Sequence, residues 1–290
     1  MQIRNKQINI LNDTLRICRD GYYEYGGMRI DLKLSAAEMM KVEVFLPEQI
    51  DAVIKETDFS ALQTESECII TCENIDSFAM ACKRKDHPTF SAGKEVLVLN
   101  FASSVNPGGC VRRGSRAQEE DLCRTSTLLL SLESDAAKSY YLYNQALQTV
   151  LASNAVIFTP SVEVIKSRKG ELLERPFTVS VMTCAAPMFT YGLEGLSFQE
   201  YEGVFYNRIV TMLKLAVCQG YKSLVLGAFG CGAFDNDAAF VSDLFLRALQ
   251  ELGIYGEKQR KIFRSVDFAV LDQSEDQYNY NHFARNFCGE

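Results

Sequence analysis

Two adjacent glutamates, Glu119 and Glu120, are the residues of this chain best suited to chemistry. They follow a glycine pair, Gly108 and Gly109, across a short basic loop, and they begin an apolar helical pattern. Glycine lets backbone N–H groups approach a phosphate or a sugar closely. Carboxyl groups at the start of a helix can hold hydroxyls and transfer a proton. Residues 100–126 therefore predict a sugar-phosphate site with acid chemistry.

The two carboxyl groups are expected to have different tasks. Successive side chains on a helix point about 100° apart, so one of Glu119 and Glu120 can bind while the other reacts. Asn106 carries an amide that donates and accepts hydrogen bonds, which suits the adjacent hydroxyls of a ribose. Gln118 either braces the glutamates or binds the substrate. The alternative is that the glutamates are solvated and only stabilise the helix dipole, with Asn106 in a connecting turn.

A second glycine-rich segment, residues 227–234, lies between an apolar strand pattern and a helical pattern. Its sequence is GAFGCGAF. Backbone N–H groups in such a loop, helped by the positive end of the next helix, can cradle a diphosphate. The glycine spacing does not match the dinucleotide-binding form of a Rossmann site. A tight packing turn without a ligand is the alternative.

These two segments together resemble a known family. NPGG at residues 106–109 followed by QEE at residues 118–120 is similar to the signature of poly(ADP-ribose) glycohydrolases. The surrounding NFASSVNPGG resembles the bacterial, macrodomain-like branch, and LGAFGCGAFDND resembles that branch's other ligand loop. The likeness runs along most of the chain, from LNDTLRICRDGYYEY near the N-terminus to FAVLDQSED near the C-terminus.

The resemblance assigns a role to individual residues. It implies that Glu120 is the proton donor and that Glu119 holds ribose hydroxyls. It also implies that Asn106 contacts the ribose near the scissile bond and that Phe234 walls the terminal ribose. The chain departs from the family pattern at the third glycine, where it has Cys110. If that position needs a positive φ or a close approach of the ribose, the side chain would strain the turn or narrow the pocket.

The activity that the resemblance implies is hydrolysis of the ribose O-glycosidic bond in poly(ADP-ribose), with release of ADP-ribose. Glu120 would act as general acid and then as general base. Two alternatives stay open: a non-enzymatic reader of ADP-ribose, in which Cys110 has spoiled the geometry, and a hydrolase of mono-ADP-ribosylated protein or nucleic acid. No cofactor is expected. No metal site is expected either, because neither the cysteines nor the two histidines have ligand spacing.

The adenine of such a ligand needs an apolar face and an acceptor for its amine. Glu73 or Asn74, just after a short apolar strand pattern, is a candidate for the polar contact, and Phe268 is a candidate for stacking. Thiol catalysis by Cys110 or Cys231 is not expected, since no histidine is close to either in sequence. The other expected substrate contacts lie in the two loops: Asn106, Gly108, Gly109, Cys110, Gln118, Gly230, Cys231, Gly232, Ala233 and Phe234.

Charge and composition narrow the class of partner. A formal charge of −7 and a pI near 5.1 argue against a broad basic surface for nucleic acid. Six basic residues in two loops either meet an extended phosphate-bearing substrate or are solvated: Arg112, Arg113, Arg116, Lys166, Arg168 and Lys169. Ten cysteines without a CxxC pair are interpreted mostly as small buried hydrophobes. The N-terminus is polar and no run of 18 apolar residues occurs, which predicts a cytoplasmic protein without membrane contact, expected as a monomer.

Strand and helix patterns alternate along most of the chain. They predict an α/β fold, a mixed sheet covered on both faces, and the resemblance implies the three-layer α/β/α sandwich of macrodomains. Residues 1–65 are expected as an N-terminal extension, beginning with an amphipathic helix, and residues 66–290 as the catalytic domain. Strands are predicted near residues 68–72, 96–101, 155–159, 177–184, 223–228 and 266–271. Helices are predicted near residues 77–84, 118–132, 139–151, 198–218, 238–252 and 276–287. Ligands bind beyond the carboxyl ends of strands in such sheets, and both glycine loops directly follow strands.

Overall fold

The computed structural model describes residues 2–59, 67–85, 96–256, 260 and 262–288. Within these residues seven strands form one mixed sheet in the order β3-β6-β7-β5-β8-β9-β4. Neighbouring strands from β7 to β4 run parallel, whereas β6 is antiparallel to both β7 and β3. The described strands are β1 (Tyr22–Tyr25), β2 (Met28–Asp31), β3 (Glu43–Phe45), β4 (Ile69–Glu73), β5 (Leu97–Phe101), β6 (Val156–Lys166), β7 (Leu172–Cys184), β8 (Ser223–Leu226) and β9 (Ser265–Ala269).

Helices cover both faces of the sheet, which confirms the predicted fold class. They are α1 (Gln2–Asp20), α2 (Ala36–Met39), α3 (Pro47–Glu56), α4 (Ser77–Lys85), α5 (Gln118–Thr125), α6 (Leu128–Leu132), α7 (Lys138–Leu147), α8 (Phe198–Cys218), α9 (Ala238–Glu251) and α10 (Tyr278–Phe287). None of these helices combines the length and apolarity needed to cross a membrane.

Strand β5 shows why the sheet has two apolar faces. Leu97 and Leu99 belong to the core cluster beneath α8, α9 and α10, whereas Val96 and Val98 belong to the cluster beneath α4, α5, α6 and α7. Side chains alternate between the faces because the side-chain period of a strand is two. Asn100 continues the second set, so its amide points toward α5 and reaches Glu119.

The helix predicted over residues 118–132 is wrong in one respect, because the structure divides it into α5 and α6. The break lies at Ser126 and Thr127, where Ser126 forms an isolated antiparallel bridge with Val164. Thr127 N donates to Glu163 O, and Glu163 N donates to Thr127 Oγ1. Hydroxyl side chains compete in this way with helical hydrogen bonds. The break fixes α5 as a short helix of eight residues against strand β6.

Strands β6 and β7 form a hairpin much longer than the two short strands predicted. They are joined by a turn in which Gly170 has φ +87° and donates its N–H to Ser167 O. The register shifts twice along the pair, so the hairpin bends. Polar residues in the more exposed half of β7 interrupt the alternation of apolar and polar residues that predicts a strand, so this half was not predicted.

The N-terminal segment is tied into the main sheet. Strand β3 adds an antiparallel edge strand to β6, and α3 packs against α8. The buried carboxylate of Glu163 accepts the backbone N–H groups of Lys33 and Leu34 at 2.9–3.2 Å. The same segment contains the antiparallel hairpin β1–β2 and the helix α3. The division at residue 65 falls outside the described residues and stays a prediction.

Candidate active site

The two glycine loops lie side by side at the carboxyl ends of the central strands. Loop 1, residues 102–117, follows β5, and loop 2, residues 227–237, follows the adjacent strand β8. A cavity of about 690 Å³ opens along this edge, and it is lined by Phe101 and Gln118 beside loop 1 and by Gly230 and Phe234 in loop 2. This size fits a ligand of several hundred daltons.

Loop 1 requires glycine at two successive positions. Gly108 has φ +68° and Gly109 has φ +60°, in the left-handed region that side chains disfavour. A Cβ on Gly109 would lie 2.5 Å from Glu120 Oε1 and 3.0 Å from Glu119 Oε2. The missing side chain at Gly109 is therefore what lets both carboxyl groups reach the loop.

Glu120 is buried, with 7% of its surface exposed, and is held by the backbone of loop 1. Its Oε1 accepts the N–H of Cys110 at 2.9 Å. Its Oε2 is buried and has no hydrogen-bond partner among the described residues. A buried carboxyl oxygen without a partner is rare, and it retains its full hydrogen-bonding capacity for a ligand.

Glu119 is buried on the other side of the turn, with different partners. Its Oε2 accepts the N–H of Ser103 at 2.8 Å, and its Oε1 accepts Asn100 Nδ2 at 3.4 Å. The pKa of Glu119 is raised to about 8, mainly by burial. The hydrogen bond from the Ser103 N–H opposes this rise, and the charge of Glu120 contributes to it. The two glutamates therefore contact different partners, as the 100° angle between them predicted.

The side chain of Gln118 is hydrogen-bonded within the protein and braces helix α5 against strand β5. Its Nε2 donates to Leu99 O at 2.7 Å and to Ser77 Oγ at 3.1 Å, and its Oε1 accepts the N–H of Phe101 at 2.9 Å. Both halves of the amide thus bind the last residues of β5. Of the two roles predicted for Gln118, the hydrogen bonds support bracing.

Cys110 adopts a conformation that any residue can take. Its φ is −106° and its ψ is 29°, and its side chain is exposed. The strain expected from a side chain at this third glycine position is therefore absent. Cys110 contributes its backbone N–H to Glu120, a contact that does not depend on its side chain.

Asn106 lies at the open end of loop 1. Its backbone is fixed, since its N–H donates to Ser103 Oγ at 3.1 Å and its carbonyl accepts the N–H of Gly109 at 2.9 Å. Its side chain is exposed and bonds no other described residue. An amide held in this way is available to a ligand.

Loop 2 presents unpaired backbone donors. The N–H groups of four residues donate to no other described residue: Gly230, Gly232, Ala233 and Phe234. Gly230 has φ +78°, and a Cβ there would lie 2.7 Å from Ala186 Cβ and 2.8 Å from Asn236 Nδ2. Asp237 caps α9 immediately afterwards by accepting the N–H of Phe240 at 2.9 Å. Clustered N–H donors before a helix N-terminus suit an anion.

Comparison with known proteins identifies the family. The model of the microbial-type PARG catalytic domain matches residues 12–167, more than half of the chain. The chain belongs to the microbial-type PARG family. No curated protein matches the chain.

Solved structures of bacterial PARG share the whole fold. The poly(ADP-ribose) glycohydrolase of Thermomonospora curvata bound to the inhibitor ADP-HPD is 29% identical, with a TM-score of 0.84, covering 98% of this chain and 100% of that chain. The poly(ADP-ribose) glycohydrolase of Deinococcus radiodurans in complex with ADP-ribose is 30% identical, with a TM-score of 0.76, covering 89% of this chain and 98% of that chain. The similarity therefore extends beyond the residues that the family model matches.

Asn236 and Tyr201 hold loop 2, and sequence reasoning did not assign either to the site. Asn236 is buried, and its Nδ2 donates to Pro187 O at 2.9 Å and to Gly230 O at 3.1 Å. Tyr201 OH donates to Asn236 Oδ1 at 2.5 Å. Asn236 lies within the PARG-like stretch LGAFGCGAFDND, which was the available signal, whereas Tyr201 lies in the middle of an amphipathic helix pattern.

The adenine contacts predicted from the sequence are only partly accessible. Phe268 is fully buried and stacks on Phe287 with ring centroids 4.0 Å apart, so it offers no face to a ligand. The expectation that it stacks on adenine is corrected: Phe268 is a core residue. Glu73 pairs with Lys83 at 2.5 Å, and Asn74 Nδ2 donates to Asp272 O at 3.0 Å. Both polar side chains thus have protein partners at the edge of β4.

The two basic clusters are mostly engaged within the protein. Lys166 is buried, pairs with Asp13 at 2.8 Å and donates to Thr14 Oγ1 at 2.8 Å, so it is a structural residue. Arg168 pairs with Asp121 at 2.9 Å. Arg112 binds Glu133, whereas Arg113 and Arg116 are exposed without an ion pair to a described residue. Arg116 also lines the cavity.

The cysteines do not form a nucleophilic or metal-binding group. Burial raises the pKa of the Cys231 thiol far above its usual range, and Asp237 raises it further. A thiol of this kind is a poor nucleophile at neutral pH. In the described part of the chain, no group of three His, Cys, Asp or Glu residues is placed to hold a metal ion.

Proposed function

We propose that this chain hydrolyses the ribose O-glycosidic bond of poly(ADP-ribose) and releases ADP-ribose, with Glu120 as general acid and then general base. The placement of Glu120 carries the proposal. One carboxyl oxygen, Oε1, is fixed by the Cys110 N–H and packs against Gly109, and the other, Oε2, is buried without a hydrogen-bond partner among the described residues. The solved bacterial PARG structures of the same fold, one with ADP-ribose, support the substrate class.

The reaction needs one proton donor and one bound sugar. As the bond between ribose C1″ and the leaving 2′-oxygen breaks, Glu120 donates its proton to that oxygen, which departs as an alcohol. The sugar gains oxocarbenium character at C1″. The Glu120 carboxylate then takes a proton from water, and the hydroxide oxygen bonds to C1″. Glu119 and Asn106 hold the ribose hydroxyls meanwhile, since both are bound to Ser103 of loop 1: its N–H donates to Glu119 Oε2, and its Oγ accepts the N–H of Asn106.

The diphosphate of the ligand is proposed to lie against loop 2. The unpaired N–H groups of Gly230, Gly232, Ala233 and Phe234 can donate to phosphate oxygens, and the N-terminus of α9 adds its partial positive charge. Phe234 lines the cavity and is proposed to wall the terminal ribose. Because backbone dipoles can neutralise this ligand, we propose that the reaction needs no metal ion.

The alternative of a non-enzymatic reader rested on strain of the turn or narrowing of the pocket at Cys110, and the negative φ of that residue argues against the strain. Cleavage of mono-ADP-ribosylated acceptors stays open as a further activity of the same site. All ten cysteines are free thiols, which supports the proposed location in the reducing cytoplasm. A monomer is proposed, and size-exclusion chromatography tests it.

Release of ADP-ribose from poly(ADP-ribose) is the deciding measurement. We expect Glu120→Gln to lose more than 99% of the turnover while binding ADP-ribose within about tenfold of the wild type, because the amide keeps the shape and loses the acid. Glu24→Gln, on the exposed strand β1, is the matched control and should retain full activity. EDTA should leave the wild-type rate unchanged.

Two outcomes would refute parts of the proposal. Turnover by Glu120→Gln above about one per cent of the wild type would place the acid elsewhere. Loss of activity in EDTA that added Mg²⁺ restores would show that the reaction depends on a metal. Isothermal titration with ADP-ribose separates loss of binding from loss of chemistry in both cases.

A further inference from the structure

The mouth of the site has an apolar rim on one side. Tyr191 and Leu142 are the two most exposed large apolar side chains in the described part of the chain, at 75% and 63%. Val105 in loop 1 and Phe189 in the loop after β7 are also exposed. Exposed apolar side chains that cluster on a protein surface mark an interaction site, either a ligand-binding groove or a contact with another macromolecule.

The strand order places the loop that carries Tyr191 beside loop 1. The loop after β7, residues 185–197, adjoins loop 1 because β7 is the neighbour of β5 on the side away from β8, β9 and β4. On the other side of loop 1, Gln145 Nε2 of helix α7 donates to Val105 O at 3.1 Å. The rim therefore runs from loop 1 over α7 to the β7 loop. It lies on the side of loop 1 that faces away from β9 and β4.

Tyr191 is presented by a loop that is fixed at both ends. Phe189 N donates to Phe234 O at 2.8 Å, and Thr190 Oγ1 donates to Ala233 O at 3.4 Å. Beyond the turn, the Glu194 carboxylate accepts the N–H of Val150 at 3.2 Å and the hydroxyl of Thr149. The loop that presents the exposed ring is thus hydrogen-bonded to Ala233 and Phe234 of loop 2, which line the cavity. A ring on a fixed loop loses little conformational freedom when it binds a ligand.

We propose that Tyr191, with Leu142 on the same rim, binds the adenine of the leaving unit of poly(ADP-ribose). This inference rests on the proposed function. The oxygen that departs from C1″ in that reaction is the 2′-oxygen of an adenosine, so an adenine is attached one sugar away from the bond that breaks. Because the diphosphate is proposed at loop 2 and the scissile bond at Glu120, this placement puts the leaving unit beyond loop 1, on the β7 side of the sheet.

The chemistry of the rim fits a base better than it fits a phosphate. A tyrosine ring offers a flat face for stacking, and stacking of a base on an aromatic side chain tolerates any sequence or acceptor beyond it. The nearest ionic group of the β7 loop is the carboxylate of Glu194, which would repel a phosphate. Adenine of the released unit cannot use this surface at the same time, because it lies across the diphosphate from the scissile bond.

Binding of short poly(ADP-ribose) chains and of ADP-ribose tests the proposal directly. Both are measured on the Glu120→Gln background, where chains are not consumed, with and without Tyr191→Ala. We expect Tyr191→Ala to weaken chain binding about tenfold, as loss of one base–aromatic stack does. ADP-ribose binding should change less than twofold. Tyr191→Phe should restore chain binding, and Tyr25→Ala, on the exposed β1–β2 hairpin, is the matched control.

The result that overturns the proposal is specific. Chain binding within twofold of the parent in Tyr191→Ala would show that Tyr191 does not contact the leaving unit. An equal loss for chains and for ADP-ribose would place the ring against the released unit instead. Failure of the proposed function is a separate observation: wild-type protein would release no ADP-ribose from chains, whatever Tyr191 binds.

Discussion

Gly109 determines how close the two carboxyl groups come to loop 1. Its φ of +60° and its lack of a Cβ are both needed, because a side chain would meet Glu120 Oε1 at 2.5 Å. The next residue, Cys110, has neither constraint. Two successive positions of one motif therefore tolerate substitution very differently.

We expect Gly109→Ala to lower kcat at least a hundredfold, because the methyl group displaces the Glu120 carboxylate. The adjacent Cys110→Gly should leave kcat and KM within about threefold. The left-handed conformation costs an alanine roughly 1–2 kcal/mol. Gly26→Ala is the matched control, since Gly26 also has a positive φ but its Cβ would meet nothing within 4 Å.

Steady-state kinetics and urea denaturation separate strain from displacement. Gly109→Ala and Gly26→Ala should lose similar free energies of unfolding, and only Gly109→Ala should lose activity. A gain of more than tenfold in kcat/KM for Cys110→Gly, about 1.4 kcal/mol, would instead show that the cysteine obstructs the site. Equal activity of Gly109→Ala and wild type would contradict the role given to Gly109.

Burial of Glu119 makes stability depend on pH. Its pKa is raised to about 8 in the folded protein from an ordinary value of 4.5. The folded state therefore binds more protons than the unfolded chain between those values. The free energy of unfolding should fall as pH rises from about 4.5 to 8, by at most about 1.4 kcal/mol per pH unit.

Urea denaturation at pH 5 and pH 8 tests this dependence. Wild type should lose free energy of unfolding between the two, and Glu119→Gln should lose distinctly less because its amide does not titrate. Other groups with shifted pKa values are present in both proteins, so their contributions cancel in the comparison. Identical losses in the two proteins would show that Glu119 is ionised in the folded state at both pH values.

At the scale of elements, loop 2 depends on a residue outside the cavity. Asn236 joins loop 2 to Pro187 in the β7 loop, and Tyr201 of α8 fixes its orientation. The amide donates to one carbonyl of each loop, and each of these carbonyls also accepts a second donor, Tyr201 OH at Pro187 and the Asn236 N–H at Gly230. One side chain therefore couples loop 2 to the β7 loop and to helix α8.

We expect Asn236→Ala to raise the Kd for ADP-ribose at least tenfold, because the N–H groups of loop 2 lose their fixed direction. Tyr201→Phe should have a smaller effect in the same direction. Asn286→Ala, which removes an amide between α10 and α9, is the control and should leave the Kd unchanged. Isothermal titration measures all three, and an unchanged Kd for Asn236→Ala would show that loop 2 is held by its backbone alone.

The sequence predicted the elements whose signals are local. Strand β5 is a nearly continuous apolar run, and loop 1 has its glycines at fixed positions, so both were found with the catalytic candidates. The break between α5 and α6 was missed because Thr127 bonds Glu163, a residue 36 positions away. Long-range partners of this kind leave no periodicity in the sequence.

Burial is the other property that the sequence did not resolve. Phe268 and Phe234 both lie near the carboxyl ends of strands, yet one is fully buried and the other lines the cavity. Lys166 likewise belongs to a basic run, although its ammonium group is inside the protein against α1. Residue type alone cannot separate a ligand contact from a core contact, because packing against distant elements decides it.

At the scale of the whole molecule, the N-terminal segment packs against the elements that carry the candidate site. It bonds helix α5 and strand β6. Thr14 Oγ1 of α1 donates to Arg124 O of α5 at 2.6 Å and accepts Lys166 Nζ at 2.8 Å. The buried Glu163 depends on the N–H groups of Lys33 and Leu34. We therefore expect this segment to be an integral part of the catalytic unit.

Residues 67–290 expressed alone should fail to give a folded, active monomer. Removal of the segment leaves Glu163 and Lys166 without buried partners and opens the edge of β6, which favours aggregation. Circular dichroism, size-exclusion chromatography and the ADP-ribose release assay measure the outcome. Supplying residues 1–66 as a separate chain should restore part of the activity. A stable, active 67–290 fragment would show that the segment is dispensable.

The contacts of helix α1 also set an order of events during synthesis. Thr14 is bonded to Lys166, which lies 152 residues later in the chain. At 5–20 residues per second, roughly 8 to 30 s pass between the translation of these two residues. Helix α1 emerges early from the ribosome but can reach its place only after the β6–β7 hairpin exists. Helix α5 is translated before Lys166, so a nascent chain acquires an ordered site only late in translation.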